Sequence, residues 1–246
     1  MTIIINGILG RMGQATKQLL CENGINAAGI DINAPEGSEI RRSLSEYSGE
    51  ADCVIDFSFH TSAFAVSEYC RERKLPLVEA TTGHTEEEAL LFTKLADYVP
   101  VLKTGNLSYG IALLSRLVKI AARSIQNADI EIVETHHNRK ADAPSGTAMM
   151  LAEAVRSERP ELHDHLGRSG IGVREKDEIG IQSVRIGSVV GRHEVIFGWQ
   201  GQLLTLKHEA LDRSLFAQGA VEAAKFLIGR DAGLYTMDDV IDSQLC

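Results

Sequence analysis

The run Thr2-Ile3-Ile4-Ile5-Asn6-Gly7-Ile8-Leu9-Gly10-Arg11-Met12-Gly13 decides how the rest of the chain is read. Its opening, a threonine and three isoleucines, is a short apolar stretch of the kind that parallel sheets bury on both faces. Three glycines follow at GxxGxxG spacing, and the amphipathic pattern of Met12–Glu22 starts inside them. A glycine turn between a first strand and a first helix lets the backbone approach a pyrophosphate, whose charge the helix N-terminus stabilises. The spacing departs from the commoner GxGxxG, so context must carry the reading. A second strand-like run, Ala27–Asp31, ends in an acid placed to accept bonds from ribose hydroxyls. Ile32 and Asn33 follow Asp31 where an arginine for a 2′-phosphate would stand, so NADH is expected to suit the site at least as well as NADPH. Arg11, Arg41 and Arg42 keep dual use open. The alternative, a glycine turn without a ligand, explains the glycines but not the acid.

Outward from that turn, Cys53–Asp56, Pro76–Glu79 and Pro100–Lys103 also read as buried strands. Amphipathic stretches, Ser62–Arg73 and Glu86–Asp97, lie between them. Such alternation predicts a parallel sheet with right-handed crossovers. The link from Asp31 to Asp52 holds Pro35, Gly37 and the Arg41-Arg42 pair, and predicts no more than a short helix. After Tyr109 the pattern changes. Ile111–Ser124 reads as a long helix, Asp129–Thr135 as a strand, and a helix starts at Ser145-Gly146-Thr147. A polar stretch without periodicity follows from Glu158 to Asp177. Three strand-like runs come next, Gly180–Gly187, Arg192–Gly198 and Gln202–Glu209, and then a helix at about Ser214–Ile228. The fold class is therefore α/β: a Rossmann-like parallel-sheet nucleotide domain plus a smaller α+β domain with a mixed sheet.

Composition narrows the function classes. The 246 residues are 44% hydrophobic and 24% charged, ordinary for a folded domain and unlike disordered or fibrous chains. No apolar run approaches the roughly 20 residues of a membrane-spanning helix, and the start lacks the basic and apolar regions of a secretory signal. Asp and Glu outnumber Lys and Arg by 34 to 25, a net charge of -9 that disfavours grip on nucleic acid or an anionic membrane. Four widely spaced cysteines, Cys21, Cys53, Cys70 and Cys246, suggest neither a zinc ribbon nor a disulfide scaffold. A cytoplasmic protein is expected.

The segment Glu134-Thr135-His136-His137-Asn138-Arg139-Lys140-Ala141-Asp142-Ala143-Pro144-Ser145-Gly146-Thr147-Ala148 carries the chemistry. Two imidazoles, a guanidinium and an ammonium within five residues concentrate positive charge in an acidic chain. Ser145-Gly146-Thr147 has the composition of a helix N-terminus, whose N–H groups hold a carboxylate. Adjacent strand residues face opposite ways, so His136 and His137 share a pocket only where the strand ends. Three readings stay open: one histidine is structural; Glu134, His136, His137 and Asp142 hold a metal, which the lysine among them and the spacing disfavour; or the segment binds an anion and moves protons beside a nicotinamide, the preferred reading.

That segment, E-x-H-H-x-x-K-x-D-A-P-S-G-T-A, joined to the N-terminal G-x-x-G-R-M-G, resembles the dihydrodipicolinate reductase family. The resemblance extends over nearly the whole chain, through Asp56-Phe57-Ser58, Ala80-Thr81-Thr82-Gly83, Gly105-Asn106-Leu107-Ser108-Tyr109-Gly110, Ser183-Val184-Arg185-Ile186-Gly187, Gly191-Arg192-His193 and the region from Arg213 to Ala220. It implies reduction of 4-hydroxy-tetrahydrodipicolinate, a small dicarboxylate, to tetrahydrodipicolinate in the diaminopimelate route to lysine, with NADH or NADPH and no metal. It implies that His136 is the catalytic acid/base and Lys140 the proton donor. His137, Ser145, Gly146 and Thr147 would then bind substrate. Gly7, Ile8, Leu9, Gly10, Arg11 and Met12 would cradle the pyrophosphate, with Asp31 on the ribose. Ala80, Thr81, Thr82, Thr104, Gly105, Asn106 and Leu107 would line the nicotinamide side. The family pattern also implies that residues 214–246 rejoin residues 1–106 in the nucleotide domain, and that residues 107–213 bind substrate and build a homotetramer. Ala80, Leu107, His60 and Ile186 depart from it. The competing function is another Rossmann-type NAD-dependent dehydrogenase acting on a small dicarboxylate, because this fold hosts many reactions.

Overall fold

The computed structural model describes residues 1–245. The chain divides into two compact units, Met1–Tyr109 with the segment from Ser214 onward, and Gly110–Arg213.

The first unit is built on β1 (Thr2–Asn6), β2 (Asn26–Ile30), β3 (Cys53–Asp56), β4 (Leu77–Glu79) and β5 (Pro100–Lys103). Helices α1 (Arg11–Glu22), α2 (Ala63–Arg73) and α3 (Glu86–Leu95) connect successive strands, except between β2 and β3, where one 3-10 turn at Leu44–Glu46 stands in for a helix. Ile3, Ile4, Ile5, Val54 and Ile55 are completely buried, as expected for strands covered on both faces. All strand pairs are parallel, in the order β2-β1-β3-β4-β5. The chain therefore reverses its direction of travel across the sheet between β1 and β3. Ligands of open α/β sheets bind at the carboxyl ends of the strands at such a reversal.

The second unit opens with α4 (Tyr109–Ser124), whose first residue still belongs to the other unit, and continues through β6 (Asp129–His136), α5 (Gly146–Arg156), β7 (His163–Leu166), β8 (Glu178–Arg185), β9 (Gly191–Trp199) and β10 (Gln202–Ala210). The strand order is β10-β9-β6-β8-β7, antiparallel on one side of β6 and parallel on the other. One face packs Ile130, Ile132, Ile179, Ile181, Val195 and Phe197 against Val118 and Ala122 of α4 and Leu151 and Val155 of α5. Along β6 burial alternates, so the face that buries Ile130 and Ile132 also buries Glu134 and His136. Strand periodicity has carried two ionisable groups into a hydrophobic layer.

The chain then returns to the first unit as α6 (Ser214–Leu227), β11 (Gly233–Tyr235), which pairs parallel with β5, and α7 (Met237–Leu245). Helix α6 packs on α1, and its small residues permit close approach. A Cβ at Gly219 would run into the Leu107 carbonyl oxygen. Three elements lack a sequence signal. Strand β7, inside the polar stretch 158–177, reads His-Asp-His-Leu and is held at the sheet edge by backbone pairing with β8 and by the Arg156–Asp164 ion pair. Strand β11 and helix α7 lie in what reads as a short tail.

Candidate active site

In the first unit, the carboxyl edge of the sheet gathers the glycine turn and its neighbours. Gly7 has φ +84°, and a Cβ there would sit 2.8 Å from the Phe57 carbonyl oxygen. Only glycine fits. Its N–H and that of Ile8 both donate to the Ile30 carbonyl, at 2.8 and 3.1 Å, which pins the turn to the end of β2. Gly10 enters α1 without a side-chain cap, leaving the helix start open to an anion. Asp31 is buried and holds the turn from the other side. Its Oδ2 accepts from Leu9 N and its Oδ1 from Asn33 N, each at 3.0 Å. A carboxylate retains further lone pairs for ribose hydroxyls.

A cavity of about 1000 Å³ opens here, lined by Gly7, Leu9, Gly10, Asp31, Asn33 and Arg42 among others. Its size and chemistry fit the adenosine half of a dinucleotide. Ile8 faces the core instead, where a Cβ on Gly29 would lie 2.7 Å from Ile8 Cδ1. Arg11 and Met12 occupy the first turn of α1. Ala80, Thr81 and Thr82 follow β4, and Thr104, Gly105, Asn106 and Leu107 follow β5. Thr104 Oγ1 donates to the Asn106 carbonyl at 2.8 Å and accepts from Asn106 N at 3.1 Å, closing that turn; Leu107 is buried.

Beneath these turns, Asp56 and Glu79 end neighbouring strands, fully buried and paired in register. Asp56 Oδ1 accepts from Asn6 Nδ2 at 2.8 Å and from Ser58 Oγ at 2.6 Å. Glu79 Oε1 accepts from Thr81 N at 2.8 Å. Burial, reinforced by the neighbouring Asp56, pushes the Glu79 carboxyl up to about 9, so it is protonated at neutral pH.

In the second unit, Glu134 organises the segment 134–148 read from the sequence. Its Oε2 meets His136 Nδ1 at 2.5 Å. Arg185 grips both of its oxygens, Nη1 to Oε2 at 2.9 Å and Nη2 to Oε1 at 2.7 Å. Ser145 N donates to Oε1 at 3.2 Å. Burial alone would raise this carboxyl, but the Arg185 and His136 hydrogen bonds outweigh it and hold it at about 2. Ionised Glu134 fixes the His136 proton on Nδ1 and leaves Nε2 as the nitrogen with a free lone pair. His193 packs edge-on against His136, ring centroids 5.1 Å apart, and its Nε2 lies 3.1 Å from Ser145 Oγ. Burial pushes His193 down to about 3, so it stays neutral.

The remaining residues of the segment line up around α5. Ser145 caps the helix, its Oγ accepting from Ala148 N at 3.2 Å. Gly146 and Thr147 form the first turn, at the positive end of the helix dipole. His137 is half-buried. Desolvation first, then the Arg213 and Arg139 cations, hold its imidazole below the ordinary range. Lys140 Nζ pairs with Asp142 Oδ1 at 2.8 Å, and its N–H closes a turn onto the His137 carbonyl at 3.1 Å. These side chains make a cationic loop beside a buried imidazole, chemistry suited to an anion. Glu134, His136 and Asp142 spend their ligand atoms on Arg185, on each other and on Lys140, which weakens the metal alternative. Sequence reasoning assigned no role to Arg185 or His193. They reach the site by strand pairing, Arg185 opposite His136 and His193 opposite Glu134. Glu134 had a signal, two residues before His136 on the same strand face.

Together, the glycine turn with its acid-ended second strand and the buried carboxylate–imidazole pair define the class: this is an NAD(P)H-dependent oxidoreductase. The match to known proteins narrows the class. Residues 1–107 match the family model described as dihydrodipicolinate reductase, N-terminus, and residues 110–241 the one described as dihydrodipicolinate reductase, C-terminus. The chain is 43% identical over 244 residues to the 4-hydroxy-tetrahydrodipicolinate reductase of Caldanaerobacter subterraneus, covering 97% of each chain. It is 41% identical to the Clostridium novyi protein of that name, covering 98% of each. Its structure superposes on the dipicolinate-bound dihydrodipicolinate reductase of Paenisporosarcina sp. TG-14 with a TM-score of 0.79 at 26% identity, covering 96% of this chain and 97% of that one. The chain belongs to the dihydrodipicolinate reductase family.

Proposed function

We propose that this protein reduces 4-hydroxy-tetrahydrodipicolinate to tetrahydrodipicolinate, with NADH or NADPH, as a cytoplasmic homotetramer. The observation that carries the reading is the Arg185–Glu134–His136 network set against the capped N-terminus of α5. A nicotinamide cofactor, when bound, supplies the reducing equivalent. The chain's own residues bind the substrate and manage protons. His137, Ser145, Gly146 and Thr147 hold a substrate carboxylate, because the helix N-terminus and the neighbouring cations favour negative charge. The 4-hydroxyl leaves as water, and Lys140, as an ammonium, gives a proton to the carbanion-like centre that hydride addition leaves on the substrate. His136 orients and polarises through Nε2, with Glu134 fixing its tautomer as a buried carboxylate does for other catalytic imidazoles. Gly7–Met12 hold the pyrophosphate, Asp31 the ribose, and the turns after β4 and β5 the nicotinamide. The five-stranded sheet leaves Val184 and Leu203 exposed on the face away from α4 and α5, a surface suited to joining subunits. Among the described residues no helix is long and apolar enough to cross a membrane.

The test is a coupled assay that follows NADH absorbance while the labile substrate is generated in the cuvette. Cofactor consumption that depends on this substrate supports the reading. Oxidation of NADH only with other dicarboxylates favours a different dehydrogenase, and silence with retained NADH binding removes the enzymatic assignment.

A further inference from the structure

The carboxyl edge of the parallel sheet carries a row of polar side chains. Asn6, Asp56, Glu79 and Lys103 end β1, β3, β4 and β5 and stand level in register, so they project from the same face. Asp56 Oδ1 is well supplied with donors: it accepts from Asn6 Nδ2 and Ser58 Oγ, and also from Ser58 N at 3.1 Å. Its Oδ2 faces Thr81 Oγ1 at 3.4 Å. Glu79 Oε1 accepts from Thr81 N, but Glu79 Oε2 is buried and receives no hydrogen bond among the described residues. A buried oxygen without a donor is costly unless it carries a proton of its own. The Asp56 carboxyl lies within hydrogen-bond reach of Glu79, so a proton on Glu79 Oε2 has its acceptor in place.

We propose that Asp56 and Glu79 share this one proton, and that the resulting O–H···O bond is a positioning device: it holds the turns after β3 and β4 in the arrangement that receives NADH. The proposal rests on the nucleotide-site reading above. The pair reaches the turns around it. Through Ser58 it fixes the segment after β3, whose Phe57 carbonyl lies against Gly7 of the glycine turn. Through Asn6 it holds the residue just before that turn, and through Thr81 the segment after β4. Thr104 N, donating to the Glu79 carbonyl at 3.0 Å, ties in the turn after β5. Loss of the proton leaves two carboxylates side by side in a buried site, and their repulsion pushes the turns apart. The other ionisable groups around Glu79 do not replace the proton. Lys103 Nζ sits over the Phe92 ring, 5.8 Å from its centroid. His84 Nε2 is 3.8 Å from Glu79 Oε1, beyond hydrogen-bond distance, and burial holds that imidazole below its ordinary range. His60 is engaged by Glu88 at 2.9 Å. On α2, burial keeps the Cys70 thiol protonated. Helix α6 also packs on β3 and β4, and its Glu222 and Lys225 pair with each other. Burial beside Asp56 keeps the Glu79 proton in place up to a pH of about 9.

The experiment measures NADH affinity by nicotinamide fluorescence, without substrate, from about pH 7 to about pH 10, with circular dichroism confirming the fold at each pH. It uses the full-length protein and its Glu79→Gln and Glu79→Ala variants. Wild-type affinity falls about twofold by about pH 9 and about tenfold by about pH 10, as the fraction of protein holding the proton falls. Glu79→Gln stays within about twofold of the wild type at neutral pH and does not share the fall, because its amide NH₂ donates to Asp56 at every pH while its oxygen still accepts from Thr81 N. Glu79→Ala binds NADH at least about fivefold more weakly at neutral pH, the scale of a lost hydrogen bond. Should Glu79→Ala fail to fold, the wild-type and Glu79→Gln profiles decide the matter by themselves. An equal fall in the wild type and Glu79→Gln, or no fall in the wild type, overturns the proposal. So does a Glu79→Gln variant as weak as Glu79→Ala at neutral pH. A wild type that binds no NADH at any pH overturns the nucleotide-site reading itself, and this role with it.

Discussion

Glu134 does three jobs with two oxygens: it holds His136, it holds Arg185, and it receives the backbone of Ser145 at the start of α5. Glutamine at this position keeps the shape and loses the charge. Glu134→Gln is expected to lower kcat by roughly 10²-fold with little change in KM, because orientation of an acid–base group acts on turnover rather than ground-state binding. It should also cost roughly 2 kcal/mol of stability or more, since Arg185 loses a buried ionic partner. Steady-state kinetics and a denaturant titration check both; an unchanged kcat in a folded variant contradicts the role. The segment proposed to be catalytic was legible in sequence because its residues are neighbours. Arg185 and His193 were not, because strand pairing brings them in from about 50 positions away.

At the scale of elements, the parallel sheet places two buried carboxyls, Asp56 and Glu79, at adjacent strand ends. Glu79 titrates near 9 in the fold and near 4.3 in the unfolded chain, so the folded state holds the proton more tightly. Its contribution to stability is fully present below pH ~4.3 and is lost as pH rises towards 9. A neutral isostere removes that loss. Glu79→Gln is therefore expected to stabilise the protein by roughly 1–3 kcal/mol at pH 8 and by almost nothing at pH 4. Melting curves at the two pH values decide it, and equal effects at both show that Glu79 is not the protonated group. The strands that the sequence reveals here are those with apolar runs, Thr2–Asn6 and Cys53–Asp56. Strand β7 and strand β11 are short edges fixed by partners far along the chain, and no local propensity announces them.

For the molecule as a whole, the residues proposed to bind the nucleotide belong to one unit and those proposed for acid–base work to the other. If the proposed homotetramer joins through the exposed Val184 and Leu203, the paired variant Val184→Glu with Leu203→Glu sediments as a smaller species than the wild type; an unchanged sedimentation coefficient removes this face as the subunit contact. The division of labour between units also sets the most direct measurement: kcat and NADH affinity determined side by side for the wild type, His136→Ala and Lys140→Ala. Turnover is expected to fall roughly 10²–10⁴-fold in each variant while NADH affinity stays within about twofold, because acid–base groups act on the chemical step. Near wild-type turnover in both variants, or a loss of NADH affinity that matches the loss of turnover, contradicts the assignment of proton transfer to this loop.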